Sequence, residues 1–293
     1  MSEQAASRRT TGEQVSPQDA VFAANRATGT VRLGVGLRDG TSRRTQSCRT
    51  HVFEEGSLRV RFPKPVRPSP ALDAVLVNTA GGIAGGDRCD IDIAVEAGAS
   101  VRVTTSSAEK VYRAQGAPAH MQVRLTVGCG GSLAWMPREM ILFDRARLAR
   151  TIDIDLADDA RLLLAEAVVF GRTGMDEAVH EGWFSDRWRV RRTGRLVYAE
   201  TMRLDGAIAR TLREPAVAAG GVAVAIVLLM PADAAFVEML RACEGLRGEV
   251  GVSSWNGITA ARFCAPDGES LRHDLATALP LALGGPLPPL WLN

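Results

Sequence analysis

A two-residue hydrophobic period that keeps returning constrains this sequence more than anything else in it. Val31, Leu33, Val35 and Leu37 occupy every second position, as do Leu58, Val60 and Phe62, then Ile91, Ile93 and Val95. The pattern continues through Val101 and Val103; Met121, Val123, Leu125 and Val127; and Ile152, Ile154 and Leu156. Trp188 to Val190 and Leu196 to Tyr198 look similar. Successive side chains of a strand point to opposite faces, so each run reads as a half-buried strand. Turn signals separate them at Ala97-Gly98, Gly128 to Gly131, Asp158-Asp159 and Thr193-Gly194.

Those turns recur at a nearly constant distance. Gly98, Gly131, Ala160 and Gly194 lie 33, 29 and 34 residues apart, each between two short alternating strands. A unit of paired strands repeated at roughly thirty residues cannot cover its apolar face alone and needs a neighbour. The expected fold is mainly β, a helically wound, layered, β-solenoid-like stack of short strands, although a sandwich would give similar strand counts. Helical periodicity is confined to the C-terminal third. Phe236, Met239, Leu240 and Cys243 follow Asp233 and precede Gly245, and Leu271, Leu275 and Leu279 follow Pro266-Asp267 and end at Pro280. Residues 1–25 read as a flexible polar tail, and residues 26–293 as one domain, since no linker splits them.

Composition removes several function classes. A net charge of +2 gives no bias toward nucleic acid or an anionic membrane. The uncharged stretch from Pro215 to Ala232 is Ala- and Gly-rich and too short for a comfortable bilayer span, so it reads as a buried strand feeding a helix. Cys48, Cys89, Cys129, Cys243 and Cys264 form no CxxC pair, and the N-terminus has no apolar core of a signal peptide. Both fit a reducing, cytoplasmic setting. His51, His120, His180 and His273 are far apart, with no metal-ligand spacing, and no nucleophile elbow is present. No tight metal site, tightly bound cofactor or catalytic cluster is expected.

Four segments stand out. The run 78–87 packs Gly81, Gly82, Gly85 and Gly86 ahead of Asp87, but it lacks Walker or dinucleotide spacing and leads into a strand. It reads as a tight loop needing positive φ, or as a backbone-lined surface with Asp87 as its polar member. Thr104, Thr105 and Ser106 end a strand, as a capped turn or as the wall of a hydrated passage. Glu109 and Lys110 follow as interface candidates. In 135–144, Arg138, Glu139 and Asp144 stand among large apolar residues, as interface anchors or as polar groups held in a crevice. Finally, Glu166 is a lone carboxylate in the apolar run 162–170, facing either outward or into a hydrated interior.

Taken together, NTAGGIAGGD at 78–87, TTSSAEKVYR at 104–113, WMPREMILFD at 135–144, LLAEAVVFGR at 163–172 and WNGITAARFCAP at 255–266 resemble the UreD (UreH) family of urease accessory proteins. The resemblance covers roughly residues 28–280. It implies a wound, mostly β fold with two short helices and a non-enzymatic chaperone role in metallocentre assembly. The implied partners are the apo-urease subunits, UreF, and through UreF the GTPase UreG. It further implies an internal passage for nickel in transit. Asp87, Thr104, Thr105, Ser106, Glu139, Asp144 and Glu166 are then candidates for that passage. Lys110, Tyr112, Arg113, Arg138, Arg172 and Glu177 are candidates for partner contacts. Asp176 stands where the family often has Gly, and Ser106 where Gln is common. Two other readings compete: a hydrolase or transferase using Asp87 with Glu139 or Glu166 as acid–base pair, and a purely structural β-solenoid binding module.

Overall fold

The computed structural model describes residues 26–39, 45–64 and 69–291, so the expected tail at 1–25 lies outside the described residues. Four coils form the centre of the molecule. Each passes from a second sheet into a first: β4 (Leu72–Asn78) to β5 (Arg88–Val95), β6 (Ser100–Thr105) to β8 (Ala119–Val127), β9 (Ser132–Trp135) to β11 (Arg147–Leu156), and β12 (Arg161–Phe170) to β13 (Gly182–Arg192). Two three-residue strands, β7 (Glu109–Val111) and β10 (Met140–Leu142), interrupt the longer crossings. Equivalent strands of successive coils pair in parallel, so Ile91, Val123, Ile152 and Trp188 stack in one row. The winding is a β-solenoid of about four turns, as the sequence leads one to expect.

The repeating turns are its corners. Gly98 adopts φ +71° and donates to the Cys129 carbonyl of the next corner at 2.8 Å; Ser132 donates to Ala99 and Arg161 to Gly131. The last of the four differs. Gly194 joins β13 to β14 (Arg195–Gly206) as an antiparallel hairpin within one sheet, which ends the winding. At the other end β1 (Thr28–Asp39) pairs parallel to β5 and antiparallel to β2 (Thr45–Gly56). The first sheet therefore runs β14-β13-β11-β8-β5-β1-β2. The second runs β16-β17-β15-β12-β9-β6-β4-β3, with β3 at Leu58–Arg61, β15 at Ala223–Met230, β16 at Glu249–Trp255 and β17 at Ile258–Ala265.

Two cores follow. One fills the space between the sheets, from Val31, Ile91, Val123 and Ile152 to Leu164 and Leu228. The other lies on the far side of the second sheet, where Leu163, Ala165 and Val227 meet Phe236 and Leu271. Those last residues belong to helices α2 (Ala234–Arg241) and α3 (Gly268–Leu283), capped by the Asp233 and Asp267 carboxylates. A shorter helix, α1 (Ile208–Arg213), was not signalled by periodicity. Helix α3 does not stop at Pro280 but runs through it to Leu283 and closes at Gly284 in the left-handed conformation. Covered on both faces, β12 and β15 are continuous apolar runs rather than alternating ones. Among the described residues the outer face of the first sheet has no such cover, and it carries alternating charge, Arg32–Asp92–Arg124–Asp153–Arg189 in one register.

Candidate functional site: a polar septum between two interior cavities

Three charged side chains meet between the sheets. In β11 the inward positions are Leu148, Arg150 and Ile152, and in β13 they are Phe184, Asp186 and Trp188, so Arg150 and Asp186 point into the core by the same alternation that buries their neighbours. Glu166 enters from the second sheet between Leu164 and Val168. All three are 6% exposed or less, which resolves the orientation of Glu166: it faces inward. Arg150 grips Asp186 bidentately, Nε to Oδ1 at 2.9 Å and Nη2 to Oδ2 at 2.6 Å. Its Nη1 donates to Glu166 Oε2, and Trp135 Nε1 donates to Glu166 Oε1 at 2.7 Å. Burial works against the Arg150 charge, but Asp186 and Glu166 outweigh it and hold the guanidinium above its ordinary value. Arg150 is a fixed cation, shared between two carboxylates.

This triad divides two cavities. The first, about 190 Å³, is lined by Asn78, Thr105, Ser106, Glu109, Met121, Trp135 and Met140, and reaches Arg150 and Glu166. The second, about 470 Å³, begins at Arg150, Glu166 and Asp186 and extends past Trp188, Glu200 and Met202 to Arg262. Register explains the alignment. Cys89, Met121, Arg150, Asp186 and Met202 are successive partners across the first sheet, and Glu166, Ile226, Arg262 and Gly251 across the second. The cavities thus follow one another along the solenoid axis, perpendicular to the strands. Trp188 is 2% exposed, lines the second cavity, and its indole N–H has no protein acceptor among the described residues.

At the first cavity, Glu109 Oε1 accepts from Asn78 Nδ2 at 3.1 Å. Burial pushes its carboxyl from 4.5 up to about 7, against the pull of Asn78 and the Lys110 N–H. Buried Cys89 is pushed up to about 12, by burial first and then by Glu109, Asp87 and Asp90.

Of the passage candidates, Thr105, Ser106 and Glu166 line the first cavity. The other four line neither of these two cavities. Asp87 accepts from the backbone N–H groups of Ala27 and Ala84 at 2.9 and 2.7 Å, which pins the glycine loop. In that loop Gly82 has φ +151°, and a Cβ there would meet the Tyr112 ring at 2.4 Å; close packing, not phosphate, explains it. Thr104 is buried beside another pocket under Pro289. Glu139 accepts from Arg138 at 3.3 Å and Arg272 at 2.9 Å, and Asp144 accepts from the Glu181 N–H at 3.0 Å. Glu166 lines these two cavities, Glu139 a separate pocket with Arg272, and Asp87 holds backbone N–H groups, so the acid–base pair considered from sequence does not assemble among the described residues.

Among the interface candidates, Lys110 and Arg113 are exposed, and Tyr112 donates to the Gly81 carbonyl at 3.0 Å. Arg138 is a correction: it is 7% exposed and donates to the carbonyls of Leu290 and Trp291, fastening the C-terminal segment. Arg172 pairs with Glu177 at 2.6 Å and lies 4.1 Å over the Phe143 ring. Beside them Asp176 holds φ +51°, the left-handed conformation that glycine takes most easily and Asp tolerates. Sequence reading passed over Arg150, Asp186 and the cavity role of Glu109. The available signal was a charge in phase with buried alternation, at 150 between 148 and 152 and at 186 between 184 and 188.

No helix among the described residues is long and apolar enough to cross a membrane, and no group of three or more His, Cys, Asp or Glu forms a metal cage there. A family model described as UreD urease accessory protein matches residues 27–289. The chain is 54% identical over 274 residues to urease accessory protein UreD 3 of Bradyrhizobium sp. (strain BTAi1), covering 93% of this chain and 96% of that one. It is 53% identical over 282 residues to urease accessory protein UreD of Rhodopseudomonas palustris (strain HaA2), covering 96% and 99%. A match to UreD of Bradyrhizobium diazoefficiens is 50% identical over 281 residues, covering 96% and 99%. The chain belongs to the UreD urease accessory protein family, and is an accessory protein rather than an enzyme.

Proposed function

We propose that this chain is a cytoplasmic maturation scaffold that docks on apo-urease and, with UreF and through it UreG, supports nickel insertion, with a hydrated passage inside the solenoid as the route of the metal. Nickel is cargo here, not a resident cofactor. The observation that carries the passage is the pair of cavities aligned on the solenoid axis and meeting at Glu166. Nickel(II) accepts oxygen and nitrogen ligands, and a relay wants several weak oxygen sites in place of one tight cage. Thr105, Ser106, Glu109 and Glu166 supply oxygens along the first cavity, and Glu200 and Glu249 along the second. The Trp188 indole N–H, without a protein acceptor among the described residues, lines the second cavity, which suits a water-filled interior.

The test is co-expression with apo-urease and the other two accessory proteins, followed by pull-down and nickel measurement. Capture of the urease apoprotein, with nickel incorporation that depends on this chain, is expected. Failure to capture it, or turnover of a substrate by the isolated chain, would remove the proposal.

A further inference from the structure

The second cavity ends as it begins, at an arginine–glutamate pair that crosses between the sheets. At its inner end Arg150 of the first sheet meets Glu166 of the second. Toward solvent the polarity reverses, and Glu200 of β14 meets Arg262 of β17. Glu200 also accepts from the Tyr198 hydroxyl at 2.9 Å, and the Tyr198 ring leans on Trp255 of β16 at 6.5 Å. Strands β14 and β16 are the last strands of their sheets among the described residues, and the second cavity opens toward this end. Along the axis the order is first cavity, Arg150–Glu166, then the second cavity, with Glu200–Arg262 across its outer part ahead of Glu249 to Gly251 of β16.

We propose that the second cavity is a closable chamber, with Arg150 as its inner closure and Arg262 as its outer one. The inference rests on the passage reading. A guanidinium between the sheets repels an approaching divalent cation and occupies the carboxylate oxygens that would otherwise coordinate it. Either closure can open while its guanidinium stays neutralised or hydrated. Arg150 holds Asp186, on its own sheet, through two N–H groups but reaches Glu166 through one. When the Glu166 contact breaks, the guanidinium stays paired with Asp186, and the buried Glu166, which keeps the Trp135 N–H, needs the arriving cation or a proton in its place. Arg262, with its side chain 57% exposed, swings into water while Glu200 keeps the Tyr198 hydroxyl. A lone buried carboxylate would be costly, so the inner closure opens only as a cation reaches Glu166. Opening one pair at a time admits or releases a cation without joining the first cavity to solvent.

The experiment uses the purified complex with apo-urease and the accessory partners, loaded with nickel(II) and then matured with or without excess EDTA. The quantity read is nickel per urease with chelator divided by nickel per urease without it. Wild type and Arg262→Lys should keep most of their nickel under EDTA. Arg262→Gln and Glu200→Gln, which break the outer pair at a partly exposed position, should lose several-fold more. A wild-type ratio in both Gln variants of complexes that still copurify overturns the inference, as does a wild type already fully sensitive to EDTA. Glu166→Ala without chelator separates the two ideas. Normal loading by that variant defeats the passage itself, whereas lost loading beside an unchanged ratio in the Gln variants defeats only the closures.

Discussion

Glu109 makes the stability of this protein depend on pH in a direction opposite to that of most carboxylates. Its carboxyl lines the first cavity, and burial raises it from an ordinary 4.5 to about 7, with Asn78 and the Lys110 N–H opposing. Between those two values the folded chain holds a proton that the unfolded chain has released. Stability is therefore greatest below about 4.5 and falls as pH rises through about 7. The shift corresponds to roughly 3 kcal/mol at 1.36 kcal/mol per pK unit. Glu109→Gln cannot ionise and keeps a polar group for Asn78. Its stability relative to wild type should thus rise by about 3 kcal/mol between pH 5 and pH 8, most of it before pH 7. Urea unfolding followed by tryptophan fluorescence at several pH values gives this difference directly. A difference that stays constant across the range would mean Glu109 is already ionised and well hydrated, and the reasoning would fail.

Other consequences follow from the same interior. Arg150→Met leaves Glu166 and Asp186 buried without their cation and should cost about 3–5 kcal/mol in urea unfolding, whereas adding Glu166→Gln and Asp186→Asn should restore most of that; a single variant as stable as wild type would contradict the shared-cation description. Cys89 is buried with its thiol pushed up to about 12, while Cys129 is exposed at a corner. A thiol reagent at pH 8 should label Cys129 readily and Cys89 only after denaturation, and rapid labelling of native Cys89 would show that its surroundings open.

The winding was legible because corners and alternation repeat together: Gly98, Gly131 and Ala160 each turn the chain from the first sheet to the second. The hairpin at Gly194 was not distinguishable, since a corner and a hairpin demand the same turn chemistry. The inward orientation of Glu166 could not be read either. With helices packed on the far side, β12 is apolar at every other position too, so no alternation remains to assign a face. Arg150 and Asp186 escaped for a related reason. A charge in phase with buried residues looks like a break in the strand until its partner on the neighbouring strand is known. The glycine loop and the 135–144 segment were legible as family marks, but the structure uses Asp87 and Arg138 to pin a loop and a C-terminal segment.

Filling the first cavity without removing any oxygen or charge is the most direct trial of an interior route. Met121 lines that cavity one strand away from Arg150, and Met121→Trp places a larger, apolar ring there while leaving Glu109, Glu166 and the outer surface untouched. The quantity to measure is nickel per urease matured by complexes containing this variant and confirmed to copurify normally. An interior route predicts intact complexes with nickel content reduced several-fold. Full nickel content in those complexes would mean that the metal travels elsewhere.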